Sequence, residues 1–251
     1  MTELMLIVPH PDDEVFGLGG TFARLAERGA STAVLTLTRG RAGRTLGLCP
    51  PAELGELRER ELRTSAAALG VDDLTVWDEH DYVPDDSRGI PRDAGLQDRP
   101  AEALERAIAL ELDRLRPEAL VTFGPHGSNG HPDHVATHLR VHGALQRGGH
   151  VPARIYHYAS EAPYDGAARP GFLSPEEIRD RHQPPSHRIE LAPAEVERKL
   201  RAMAAHRTQA LSVLNFMERF TARLFTETFT RVGVGGAPVA PGAETRTVSF
   251  P

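Results

Sequence analysis

The chain has 251 residues, of which 40% are hydrophobic and 25% charged, with a formal net charge of −6 and one cysteine. This is the size and composition of a globular domain with an ordinary core. The acidic balance excludes a basic nucleic-acid footprint, and the lone Cys49 excludes a disulfide framework and a cysteine-ligated zinc site.

The N-terminal apolar run, residues 4–8, is broken at Pro9 and lacks a basic flank, so it reads as neither a signal peptide nor a membrane span. Cytoplasm is the expected compartment, with no membrane partner. The run predicts a first buried strand. Residues 17–28 predict a helix stopped by Gly29, and 32–37 (TAVLTL) a second strand rich in β-branched residues. A helix over 53–69 ends at Gly70, a short third strand covers 74–77, and a helix over 101–115 stops before Pro117. Residues 119–123 predict the fourth strand, 134–146 a helix and 154–158 a fifth strand. Residues 161–187, rich in Pro, Gly and charge, have a composition compatible with a lid or a partner contact. Then follow a strand at 187–191, one or two helices over 194–223 and a last strand at 225–232. The Gly/Pro/Ala tail from 233 is expected to be irregular.

Strand–helix alternation at this spacing implies right-handed βαβ units. The fold class is therefore α/β: a Rossmann-like, doubly wound, mostly parallel sheet with helices on both faces and a C-terminal α/β extension. The expected organisation is one domain over 1–232, with a core at 1–160, an extension at 161–232 and a tail at 233–251.

Two motifs carry chemistry. Pro9-His10-Pro11-Asp12-Asp13-Glu14 follows the first strand. Gly124-Pro125-His126-Gly127-Ser128-Asn129-Gly130-His131-Pro132-Asp133-His134 follows the fourth. In strand order 3-2-1-4-5 these strands are neighbours at the topological switch point, where open α/β sheets bind ligands at their carboxyl ends. Imidazole and carboxylate are standard zinc ligands. A helical turn after Pro9 would aim His10 and Asp13 the same way and Asp12 elsewhere, free to hold a water. His131 and His134 share the same spacing, and spacing alone leaves open which of them binds metal. A dinucleotide site is the rival reading. It would need Gly-x-Gly-x-x-Gly after the first strand, where carboxylates stand instead; Gly17, Gly19 and Gly20 come later and read as close helix packing.

The paired motifs resemble the PIG-L/LmbE-like N-deacetylases over residues 1–145, with looser similarity to about 230. The resemblance implies a zinc-dependent hydrolase, with Fe²⁺ as the alternative metal, that removes an N-acetyl group from an N-acetylglucosamine-containing small molecule. It implies His10, Asp13 and His134 as metal ligands, Asp12 as general base, His131 as general acid or oxyanion partner, and Asp133 as the group that pairs with and orients His131, raising its pKa. Arg58, in an Arg-x-x-Glu pattern with Glu61, is implied to reach substrate, while the run from Lys199 to Gln209, with His206, is structural. Asn129, Arg41 and Arg44 are further substrate-binding candidates; Arg41 stands where many relatives are acidic. Together with Arg39, the loop arginines suit an anionic group. Within the family the first 145 residues look most like bacillithiol-biosynthesis deacetylases acting on N-acetylglucosaminyl malate. An amidase for another sugar or thiol conjugate shares every ligand. Relatives are often homo-oligomers, although no interface signature is visible.

Overall fold

The computed structural model describes residues 2–83 and 95–239. Strand β1 (Leu4–Val8) has no polar side chain, and all five of its residues are buried. That pattern requires cover on both faces. The chain supplies it by alternating helices with further strands: α1 (Asp13–Glu27), β2 (Thr32–Thr38), α2 (Leu54–Leu69), β3 (Asp73–Glu79), α3 (Ala101–Leu115), β4 (Ala119–Phe123), the single turn α4 (Gly127–Gly130), α5 (Pro132–Gln146) and β5 (Arg154–Tyr158). Then come α6 (Pro175–Arg181), β6 (His187–Glu190), α7 (Pro193–Ala205), α8 (Ala210–Arg219) and β7 (Thr226–Val232).

One seven-stranded sheet results, in the order β3-β2-β1-β4-β5-β7-β6. The first five strands are parallel, and β7 and β6 join antiparallel. The expected 3-2-1-4-5 order holds, so β1 and β4 are direct neighbours and their carboxyl ends open into the same crevice.

Side-chain alternation along β1 divides the core in two. Leu4, Leu6 and Val8 pack with Val15, Leu18 and Phe22 of α1 and Met203 of α7. Met5 and Ile7 pack on the other face with Ile108 of α3 and Val141 of α5. The C-terminal strands are tied into the first of these layers by charge. Glu227 of β7, fully enclosed, accepts from the backbone N–H of Gly20 (2.9 Å) and Thr21 (2.8 Å) and from Lys199 Nζ (2.8 Å). The approach needs glycines: a Cβ on Gly19 would lie 2.8 Å from Lys199 Cγ, and one on Gly20 2.3 Å from Leu191 Cδ1. Close packing is thus their role, as expected.

Two details differ from the sequence expectations. Both motif helices begin earlier, at Asp13 rather than 17 and at Pro132 rather than 134. Their first turns mix site residues, Asp13 on α1 and Asp133 and His134 on α5, with the apolar Val15, Phe16 and Val135, so apolar periodicity alone does not mark where they begin. Helix α6 lies within residues 161–187, for which the sequence pattern predicts no helix. It opens on a capping box in which Ser174 Oγ accepts from Glu177 N–H and the Glu177 carboxylate accepts from Ser174 N–H. In the tail, residues 233–239 turn back on β7, with Val239 N–H donating to Arg231 O at 3.0 Å; the rest of the tail, 240–251, lies outside the described residues. No helix among the described residues is long and apolar enough to cross a membrane.

Candidate metal and catalytic site

The end of β1 is pinned by Pro9 O, which accepts from both N–H and Oγ1 of Thr38, each at 2.9 Å. The chain then turns into α1 through Asp12, whose φ of 105° is left-handed and strained for a residue with a Cβ. Two buried side chains sustain that strain. Glu14 accepts from Asp12 N–H at 3.0 Å with one oxygen and from His206 Nε2 and Ser65 Oγ, both 2.6 Å, with the other. Arg58 of α2 donates to Gly40 O (2.9 Å) and to Pro11 O, and its Nη2 stands 3.6 Å from Asp12 Oδ1.

The second motif is a glycine-bent turn running into α5. Gly127 has φ 57°, and a Cβ there would lie 2.9 Å from Val135 N. His131 is the N-cap of α5, its Nδ1 accepting from Asp133 N–H at 3.1 Å, and Pro132 takes the first helical position. The capping role fixes the tautomer: Nδ1 is the acceptor, so neutral His131 carries its proton on Nε2.

The two motifs meet across the strand ends. The ring centroids of His10 lie 4.9 Å from His131 and 5.3 Å from His134. One donor atom each from His10, Asp13 and His134 falls within 4.8 Å of the others. Asp13 sits between the two imidazoles, with Oδ2 3.5 Å from His10 Nδ1 and Oδ1 3.5 Å from His134 Nε2. Each histidine has its remaining nitrogen committed. His134 Nδ1 donates to Gly127 O at 3.1 Å, and His10 Nε2 donates to Asp133 Oδ2 at 3.1 Å. Two imidazole lone pairs and a carboxylate, each imidazole oriented by an outer acceptor, are the donor set of a three-ligand divalent metal site with room for a fourth, exchangeable ligand. The residues fit a borderline cation such as Zn²⁺.

Asp133 is therefore placed differently from the expectation. Its carboxylate is fully buried and accepts from His10 Nε2, Tyr82 N–H (2.7 Å) and Leu96 N–H (3.2 Å). It orients His10, while the His131 ring stands 3.9 Å from it and receives only the backbone N–H. The expected upward shift of His131 is likewise reversed: burial, together with neighbouring His10 and His134, holds its imidazole well below the usual histidine range. His10 moves the other way. Burial pulls it down, but the carboxylates of Asp13 and Asp133 outweigh that and raise it to about 10. Burial raises Asp12 to about 7 against the pull of Arg58. Asp13 is lowered, because His134 and His10 outweigh the burial that would raise it.

The substrate-binding candidates fare unevenly. Arg58 is 4% exposed and its terminal nitrogens already serve backbone carbonyls, so it holds the two loops that frame Asp12. Asn129 Oδ1 accepts from His131 N–H (3.1 Å) and shapes the turn. Arg41 pairs with Asp78, and Arg39 with Glu59 (3.0 Å). Arg44 is exposed. Several contributors carried no sequence signal. Asp81 accepts from Gly40 N–H and Ala42 N–H, bracing the glycine turn after β2. Phe172, from the stretch read as a possible lid, packs edge-on to His131 with centroids 4.8 Å apart. Neither lies in a motif; only the folded loops bring them here.

Comparison with known proteins finds similarity over the residues that carry both motifs. The family described as PIG-L: GlcNAc-PI de-N-acetylase matches residues 5–145. A 1D-myo-inositol 2-acetamido-2-deoxy-alpha-D-glucopyranoside deacetylase of Mycolicibacterium gilvum is 31% identical over 195 residues, covering 70% of this chain and 65% of that protein. The chain thus spans just under two thirds of that relative's length. A protein of the same name from Saccharomonospora viridis is 32% identical over 236 residues, covering 82% of this chain and 84% of its own. Among solved structures, a conserved protein of Thermus thermophilus superposes with a TM-score of 0.66 at 26% identity, over 98% of this chain and 100% of that one.

Proposed function

This chain belongs to the PIG-L GlcNAc-PI de-N-acetylase family, and on that premise we propose that it is a metal-dependent hydrolase that removes the N-acetyl group from a glucosamine-containing small molecule. One observation carries the reading. His10, Asp13 and His134, from motifs some 120 residues apart, converge their donor atoms, with Asp12, outside that group, at the N-cap of α1 next to Asp13.

A divalent cation held by those three residues would supply Lewis acidity, lowering the pKa of water to about 7 and polarising the acetyl carbonyl. The remaining work falls to the chain. Asp12, raised to about 7 by burial, is matched to neutral pH as a general base. It takes the proton of the attacking water as the new C–O bond forms. It returns that proton to the glucosamine nitrogen as the C–N bond breaks, leaving acetate and a free amine. His131, neutral and protonated at Nε2, donates a hydrogen bond to the carbonyl oxygen as negative charge gathers there. Of the two roles expected for His131, the depressed pKa favours the oxyanion donor over the acid.

The substrate we infer is an N-acetylglucosaminyl conjugate with a neutral polyol aglycone. Two relatives carry an inositol glycoside in their names. Arg39 and Arg41, two of the three loop arginines that would greet a malate dianion, already have carboxylate partners in the chain, which leaves the exposed Arg44 for that role. The test is release of free amine from N-acetylglucosaminyl inositol, N-acetylglucosaminyl malate and free N-acetylglucosamine, each with and without chelator. Turnover preferring the inositol conjugate, abolished by chelator and restored by Zn²⁺, is expected. Preference for malate would return the substrate to the bacillithiol type, and no turnover on any of them by metal-loaded protein would remove the deacetylase reading.

A further inference from the structure

Three histidines outside the catalytic centre form a second constellation. His138 and His142 stand one helical turn apart on α5, and His157 faces them from β5. Their ring centroids form a nearly equilateral triangle of 4.7, 4.9 and 5.0 Å. One ring nitrogen from each lies within 4.8 Å of the other two, and all three residues are buried.

The outer hydrogen bonds settle the tautomers. His138 Nδ1 meets Phe123 O at 3.1 Å and His142 Nδ1 meets Val234 O at 2.7 Å; a carbonyl can only accept, so both nitrogens carry hydrogen. His157 Nδ1 meets Gln183 Oε1 at 2.6 Å. The amide orientation of Gln183 is set by its Nε2, which donates to Gly236 O at 3.1 Å, so Oε1 is the acceptor and His157 Nδ1 the donor. Three neutral rings therefore direct three Nε2 lone pairs inward, and two of these, on His142 and His157, stand 2.7 Å apart. A hydrogen bond between them would need a doubly protonated ring or a bare Nδ1 pressed against a carbonyl. Burial opposes the first, pushing His157 down to about 3 and lowering His142 as well. The contact is repulsive unless a cation shares it.

We propose that His138, His142 and His157 form a second metal site, for a borderline divalent cation of the Zn²⁺ class, distinct from the His10–Asp13–His134 centre. Three imidazoles whose other nitrogens each donate to a fixed carbonyl are the ligand and outer-sphere arrangement of a zinc site. Zn–N bonds of 2.0–2.1 Å at tetrahedral angles put ligand nitrogens about 3.3 Å apart, so the His142–His157 pair opens by roughly half an ångström on binding. The 233–236 turn closes over the rings: a Cβ on Gly236 (φ 80°) would lie 3.3 Å from His142 Nε2. A cation there joins α5, β5 and the segment after β7, and so anchors the helix whose N-cap is His131 and whose first turn holds His134. It does not depend on the deacetylase reading.

The test is metal stoichiometry in the full-length protein, stripped with chelator and titrated with Zn²⁺. The native chain is expected to bind two equivalents. A His10→Ala/His134→Ala variant should keep one, with an X-ray absorption first shell containing three imidazole nitrogens, and adding His157→Gln should remove it. One equivalent in the native chain, or none in the His10→Ala/His134→Ala variant with its native circular dichroism retained, would overturn the second site. Both readouts leave the cluster intact, so they decide the matter even if the His157→Gln variant does not fold.

Discussion

Residue types and spacing mark His10, Asp13 and the His131/His134 pair as metal-ligand candidates, and it is the resemblance to the PIG-L family that implies His134 as the ligand of that pair. What spacing does not encode is the choice each polar atom makes among partners once folded. Asp133 is the clear case: two residues from His131 in sequence, it serves His10, 123 positions away. Replacing it by Asn removes the charge that orients His10, and metal affinity at the catalytic centre should fall about 10–100-fold by titration with the overall fold kept. An unchanged affinity would show that Asp133 acts elsewhere. Asp12 carries a cost with a definite sign. Its folded pKa, about 7, exceeds the ordinary 3.8, so the native state binds the proton more tightly and stability falls as pH rises through that window. In metal-stripped protein, Asp12→Asn should therefore melt higher than the native chain at pH 8, the gap closing below pH 4. A lower melting temperature at pH 8 would show that the carboxylate is stabilising and that the burial argument fails.

At the scale of elements, apolar periodicity marks β1, α3, β4 and β5 to the residue. It misplaces the starts of α1 and α5, whose first turns carry the site residues Asp13, Asp133 and His134. It also misses α6, a short helix whose capping box, Ser174 and Glu177, is the only local signal. The glycines of α1 show how an element's interior meets its neighbours. A methyl at Gly20 must displace Leu191, next to the backbone N–H that Gly20 gives to Glu227. Gly20→Ala should cost about 1–3 kcal/mol in denaturant unfolding despite the gain in helix propensity. A neutral or stabilising result would mean that Leu191 repacks freely.

At the scale of the molecule, the strand order read from the sequence brings the two motifs together, and the sheet confirms it. The C-terminal strands were harder to place, since nothing local says that β7 pairs with β5 or that Glu227 reaches α1. Those long-range contacts make residues after 160 part of the same core. Met203, Phe216 and Phe229 sit in one layer with Leu4 and Phe22. A chain ending at residue 160 would bare that layer and the edge of β5, and should aggregate rather than unfold cooperatively. A soluble fragment with a sharp melting transition would divide the domain where the structure joins it.

The division of labour between the adjacent carboxylates Asp12 and Asp13 is the centre of the account, and metal content measured beside turnover in Asp12→Asn and Asp13→Asn tests it most directly. Asp13→Asn should bind one equivalent fewer than the native chain. Asp12→Asn should keep the native metal content and lose about 10²–10⁴-fold in amine release. Equal metal loss in both variants, or native turnover in Asp12→Asn, would contradict the assignment of base and ligand.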